Sequence, residues 1–397
     1  MKRLKPWSPA TPPVNALCPT QDSKRPRTLI SRTLRQLACL LVALSPAASH
    51  ATGVLFTLDN SPKANHVLMF ERDQDGELTP AGAFPTEGTG TGTGLGNQGA
   101  LALSRTSKWL LAVNAGSHDL SVFELKRNGL DLTDKLSSGG LRPVSVTLHQ
   151  RLVYVLNAGG SAGGTDNITG FSLSRHGKLA PLAGSTRRLS ARATGPAQIQ
   201  FSRDGGTLIV TEKSTNKIDT FLVGDDGLAV GRTTIDSAAN TPFGFALGKN
   251  DKVFISEANG GAPDGSSVSS YDLNEQGKLK VVSRSVPTTE TAACWVVVTR
   301  NGRFAYTTNT GSGSISAYAI QRGTGRITLL DADGRTGITG NGTNPIDMAL
   351  SRGSRFLYSL NSGNGTISAF RVLPSGSLDP ITGVSGIPAG ANGLAAR

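Results

Sequence analysis

Glu212 and Glu257 each end a short apolar run, and four other runs end at the matching place in Asn: Asn114, Asn157, Asn309 and Asn361. Two carboxyl groups gathered at one opening are driven apart in pKa, which leaves one of them free to act as a general base. Glu212 is the expected base. The candidate small-molecule contacts are Glu257, Asn157, Asn309 and Asn361, together with Gln198, Asp347 and Trp295 from the apolar segments that precede those runs. Asn at such a place also bonds the adjacent turn, so each Asn carries a structural reading beside the binding one. Other chemistry has less support. The five His are scattered without ligand spacing, and Cys294 has no matched His, so neither a metal site nor a thiol nucleophile is expected. Asp73–Gly76, Asp225–Gly227 and Asp331–Gly334 echo calcium loops but are ordinary hairpin turns. The Gly-rich stretch Thr86–Asn97 lacks the strand-then-helix setting of a nucleotide loop and reads as a flexible loop. No cofactor is implied.

The first 51 residues differ from the rest. They hold eight Lys/Arg and one acid, +7 of the chain's +12, followed by the apolar run Leu37–Leu44 and the small residues Ser49 and Ala51. That order is a secretory leader, which predicts an exported protein, periplasmic or secreted. Its removal leaves +5 on the remainder, too little for a nucleic-acid footprint, and Cys294 as the last thiol. No apolar run reaches the roughly 18 residues of a membrane span. The division is a leader over 1–51 and one domain over 52–397, expected to be a monomer.

The elements that must position these side chains follow from a repeat. A β-branched or Leu residue stands three before an aromatic seven times: Val67/Phe70, Leu120/Phe123, Ile168/Phe171, Ile218/Phe221, Val268/Tyr271, Ile315/Tyr318 and Ile367/Phe370. The aromatics lie 53, 48, 50, 50, 47 and 52 residues apart, and a Gly turn follows each. Every unit reads as four short strands, as in Cys294–Thr299, Phe304–Asn309, Ile315–Tyr318 and the strand after Gly325. Four strands per unit predicts an all-β, seven-bladed β-propeller with four antiparallel strands per blade. The first unit begins at its second strand, Val54–Asp59, and Ala391–Ala396 is a first strand without a blade. The C-terminal strand is therefore expected to join the N-terminal blade and close the ring. Antiparallel pairing places the start of a first strand beside the end of a second, so both sets of polar side chains share one face. The loops Gly159–Asn167 and Gly260–Ser267 rise from that face.

Tyr154-Val-Leu-Asn157, Tyr306–Tyr318 and Leu357–Phe370 resemble the Tyr-Val-Thr-Asn repeats of surface and periplasmic propellers. They are similar also to the lactonase family of seven-bladed propellers, which contains 6-phosphogluconolactonase and carboxymuconate cyclase. Gly195–Gly205 looks like that family's Gly-Pro-Arg-His blade start. The resemblance, over about 53–397, implies opening or closure of the lactone of a sugar acid or related acid, with the Glu that ends a second strand and the Arg and His of the blade start at work. Glu212 matches the Glu. The Arg place holds Ala197 and the His place holds Gln198, with Arg142 or Arg192 as a stand-in cation. The alternative is a non-catalytic propeller that binds a ligand, glycan or protein.

Overall fold

The second strand of the repeat is buried from end to end in Trp109–Asn114, Thr207–Glu212, Phe304–Asn309 and Phe356–Asn361. Such a strand must be covered on both faces of its sheet. In the computed structural model, which describes residues 52–397, the cover comes from neighbouring sheets standing around an axis. The expected leader over 1–51 lies outside the described residues.

Among the described residues the strands form seven antiparallel sheets, or blades. Blade 2 is Leu101–Leu103, Trp109–Asn114, Asp119–Lys126 and Gly129–Ser137, ordered from the axis outward, and blades 3 to 7 repeat that plan. Their inner strands are Pro143–His149, Pro196–Phe201, Pro242–Leu247, Ala293–Val298 and Pro345–Leu350. Each inner strand abuts the inner strands of both neighbours, so the ring is closed. Blade 1 takes three strands from the start of the domain and its inner strand, Asn392–Ala396, from the end. That last strand pairs with Gly53–Leu58 in the register Leu55↔Ala396, Phe56↔Ala395 and Thr57↔Leu394.

Burial falls off outward. The outer strand Ala229–Asp236 buries only its first residue. In blades 3 and 6 the outer strand is split, into Leu179–Pro181 with Arg187–Arg188 and Ile327–Leu329 with Gly337–Ile338. The repeat shows one outer strand in each; a turn interrupts it, at Asp331–Gly334 in blade 6, where the Gly334 amide donates to the Asp331 carbonyl at 2.8 Å.

The core lies between blades. Tyr154, Tyr306 and Tyr358 are fully buried on second strands, and each phenol donates to the carbonyl of the Gly turn in the next blade, Gly227, Gly376 and Gly76, at 2.9, 2.8 and 2.8 Å. Burying such an aromatic contributes about 1.5–3 kcal/mol. The turn needs glycine for two reasons. Gly76 has φ +96°, and a Cβ there would stand 2.4 Å from the Phe356 ring of the neighbouring blade.

Candidate functional site at the channel mouth

Each channel-facing strand begins with a conformational motif that residue types do not reveal. Arg142, Gly195, Thr241, Ala292 and Asn344 stand just before the inner strands of blades 3 to 7, with φ between 48° and 59°. Each carbonyl accepts the first amide after its own second strand, from Ala158, Lys213, Ala258, Thr310 and Ser362, at 2.9 to 3.2 Å. A register shift follows at once in all five inner strands, as between Pro196 and Gln198. Bulges of this kind re-aim side chains beside functional sites.

The re-aimed side chains largely join blades. The Gln198 amide donates to the Phe245 carbonyl at 3.0 Å and accepts the Phe245 amide at 2.6 Å. Ser145 accepts the Ile199 amide at 3.2 Å. Asp347 accepts the Met348 amide at 2.7 Å and faces the Leu394 amide of blade 1. Burial pushes its carboxyl well above the usual carboxylate range, against the opposing effect of the Met348 and Leu394 amides. Blade 5 has Gly244 at this place. A Cβ on Gly244 would meet Gln98 Oε1 at 2.0 Å, because Gln98 reaches across from blade 2. There it donates to the Val296 carbonyl at 2.9 Å and accepts the Val296 amide at 3.1 Å. Below these bonds the channel holds a cavity of about 420 Å³, lined by Gln198, Asp347 and apolar side chains of the inner strands.

The six strand-end residues are all fully buried. The amides of Asn309 and Asn361 donate sideways to the third strand of their own blade: Asn309 to Ser314 and Ser316 at 3.0 and 2.8 Å, Asn361 to Thr366 and Ser368 at 2.9 and 2.8 Å. Asn114 does the same toward Asp119 and Ser121, and Asn157 toward Asn167 and the Ser138 carbonyl. Glu257 accepts from Ser267 at 2.6 Å while its Oε1 has no protein partner, and burial raises its pKa. Glu212 accepts the Ser190 amide at 2.9 Å, the Ser190 hydroxyl, and the Thr215 hydroxyl at 2.5 Å. Asp219 lies beside it on the third strand, pushed up to about 7 by burial and by the Glu212 charge, against the bond from Thr234. The Glu212 charge thus acts on Asp219 within one blade, a pairing the sequence reading missed because Asp219 occupies a place that blades 2, 3, 5, 6 and 7 fill with Ser or Thr.

The Gly-rich stretch Thr86–Asn97, read from the sequence as a loose loop, runs over the channel mouth with Leu95 and Asn97 buried. Gly90 and Gly92 donate to the Ser61 and Asn60 carbonyls of blade 1 at 2.7 and 2.8 Å. The Asn97 carbonyl accepts the Trp295 indole N–H of blade 6 at 2.7 Å, and the Asn97 side chain donates to the Val144 carbonyl of blade 3. Gly96 accepts a hydrogen bond from Lys213 Nζ of blade 4. Lys213 lies over the Phe243 ring at 4.7 Å, and Phe243 packs on Trp295 with centroids 5.0 Å apart. Burial pulls the Lys213 ammonium down to about 8, with the Arg142 charge adding to the effect. Trp295, an expected binding residue, is therefore at the mouth beneath the Gly-rich stretch. Lys213 was not foreseen, since a charged residue opening a turn carries no distinguishing pattern. Glu212 and Lys213 are chain neighbours that turn to opposite sides, Glu212 to the linker before blade 4 and Lys213 to blade 5.

Comparisons with known proteins agree with the architecture. The model of the family described as "Lactonase, 7-bladed beta-propeller" matches residues 260–387. No curated protein sequence matches the chain. The periplasmic gluconolactonase of Pseudomonas aeruginosa has a similar structure, with 15% identity, a TM-score of 0.68, and 86% of this chain and 98% of that one covered. A Bacteroides uniformis protein provisionally named a 6-phosphogluconolactonase gives 18% identity and a TM-score of 0.68 over 86% of this chain and 98% of its own. A protein of Lactobacillus plantarum gives 15% identity and a TM-score of 0.70 over 87% and 99%. With seven four-stranded blades the chain is a seven-bladed β-propeller, and the lactonase model is similar to it from the third strand of blade 5 through blade 7.

Proposed function

We propose that the protein takes up the lactone of a sugar acid, or the acid it opens to, at the channel mouth and hydrolyses the cyclic ester. The observation that carries this reading is the mouth itself: a cation, Lys213, beside the paired rings of Phe243 and Trp295, in a fold shared with a periplasmic gluconolactonase. Ring opening needs a base to deprotonate water and a positive group for the oxyanion. Lys213 supplies the charge. Glu212 is the base; it turns to the linker before blade 4, on the other side of the chain from Lys213, so the proton of the attacking water must travel to it through the Ser190 and Thr215 hydroxyls bonded to it. The protein acts as an exported monomer on a small-molecule acid or lactone, the leader over 1–51 directing it out of the cytoplasm. Among the described residues no helix is long and apolar enough to cross a membrane.

A second reading, a propeller that binds without turnover, is favoured by the enclosure of Glu212 and by the blade-joining bonds of Gln198. One experiment separates the two. Residues 52–397 are assayed for opening of δ-gluconolactone and 6-phosphogluconolactone beside the Glu212→Gln variant. Hydrolysis should exceed background in the wild type and fall by about 100-fold or more in the variant, the size of a lost general base. Background rates for both proteins leave the binding reading.

A further inference from the structure

We propose that Lys213 is the anchor of an oxyanion site at the channel mouth and that the Gly-rich stretch over it is a displaceable strap, the Gly96 carbonyl holding the place that a ligand carboxylate or phosphate takes. The inference rests on the proposed location of the ligand but not on turnover.

Three observations meet here. First, among the described residues no carboxylate pairs with Lys213; its head group has the Gly96 carbonyl and the Phe243 ring. A largely enclosed ammonium with a neutral acceptor keeps most of its donor capacity unused, which an anion would satisfy. Asp166, the one acid whose charge acts on Lys213, is already engaged by the Gly160 and Thr194 amides at 2.7 and 2.6 Å and the Thr194 hydroxyl at 2.9 Å. Second, the acceptor belongs to a glycine-rich segment with open space beside it, anchored by the buried Leu95. Glycine occupies positions 88, 90, 92, 94 and 96. The stretch is tied at one end by the Gly90 and Gly92 amides and by the Asn60 side-chain amide, which donates to the Thr93 carbonyl at 2.7 Å, and at the other by Asn97. Between the ties a Cβ on Gly94 would meet nothing within 4 Å, and one on Gly96 would meet only Lys213 Nζ, at 3.4 Å. Third, what the strap covers suits a polyol acid: the Phe243 and Trp295 rings offer an apolar floor beside the cation.

The ligand class is an oxyanion on a small polyol. Calorimetry on residues 52–397 uses gluconate, 6-phosphogluconate, inorganic phosphate and the neutral polyol sorbitol. At pH 7 an acid should bind and sorbitol should not, and the gluconate and phosphate arms tell a carboxylate site from a phosphate site. Lys213→Met should weaken the bound acid by about tenfold or more, the equivalent of one charge-assisted bond, while Lys213→Arg keeps affinity within a few-fold. Affinity should fall between pH 7 and 9.5 as the ammonium loses its proton. Of the groups facing it, the Arg142 charge opposes the ammonium and the Asp166 charge favours it, while the Cys294 thiol is pushed up to about 11 by burial. Hydrogen exchange at residues 93–97 should quicken on binding as the strap lifts. Equal affinity in wild type and Lys213→Met, equal binding of sorbitol, or no binding of any anion at 10 mM overturns the proposal. Binding that behaves as stated without lactone turnover sustains it and removes the hydrolase reading instead.

Discussion

At the residue scale, the mouth shows why a side chain's type is a poor guide to its task. Gln198 sits where a ligand could reach it, yet it spends its amide on the backbone of the next blade, while Asp347 bonds the Met348 amide of its own strand and leaves Oδ2 without a hydrogen-bond partner. The geometry behind this is elementary. Adjacent inner strands belong to different sheets, so their facing amides and carbonyls have no ladder to join, and buried groups of that kind must find partners. A side chain of the right length closes each gap. Where blade 5 offers only Gly244, Gln98 of blade 2 closes it. Gly244→Ala should therefore cost about 1–3 kcal/mol by overpacking, since the new methyl would stand 2.0 Å from Gln98 Oε1 and 2.6 Å from the Cys294 carbonyl. Urea unfolding of the variant beside the wild type checks it; an unchanged midpoint would mean that Gln98 does not bridge the channel.

At the element scale, each second strand ends against two places on its third strand, and the residue types at those three places decide the local electrostatics. Asn309 with Ser314 and Ser316 is a neutral trio. Glu212 with Asp219 is not, and Asp219 carries the consequence in its pKa of about 7. An unfolded Asp titrates near 3.9. The native state thus keeps a proton that the unfolded chain gives up, and the contribution of Asp219 to stability is whole below about pH 4 and is lost as pH rises through about 7. Asp219→Ser removes the second carboxyl and leaves Glu212 opposite Lys217. It should raise the melting temperature, and the gain at pH 8 should exceed the gain at pH 5; equal gains at both would deny the coupling. The sequence displayed the strands themselves well, because an apolar run ending in Asn or Glu about every fifty residues leaves few folds able to bury it. It displayed the site poorly. The left-handed residue before each inner strand is Arg, Gly, Thr, Ala or Asn, a motif of backbone angle with no letter in common. The strap's path likewise depends on which carbonyls and amides around the axis lie within reach, and alternating Gly and Thr say nothing of that.

At the scale of the whole molecule, closure rests on five residues, Asn392–Ala396, paired to Gly53–Leu58. Without them that strand of blade 1 keeps an unpaired edge and the ring a gap beside the inner strand of blade 7. Removing residues 388–397 should lower the melting temperature by about 10 °C or more, the scale of several kcal/mol, and should enlarge the particle in solution scattering. A full-height transition at the wild-type temperature would show that the ring holds without its last strand. The same arrangement has a temporal side. The strand that completes blade 1 follows every other strand of the ring in the chain, so a nascent chain passes through an interval in which the edge at Leu55–Leu58 waits for it. During that interval the terminal strand of a second chain fits the opening as well as its own. Crowded synthesis should thus yield strand-exchanged pairs in proportion to expression level, a hazard of timing that a finished ring no longer faces.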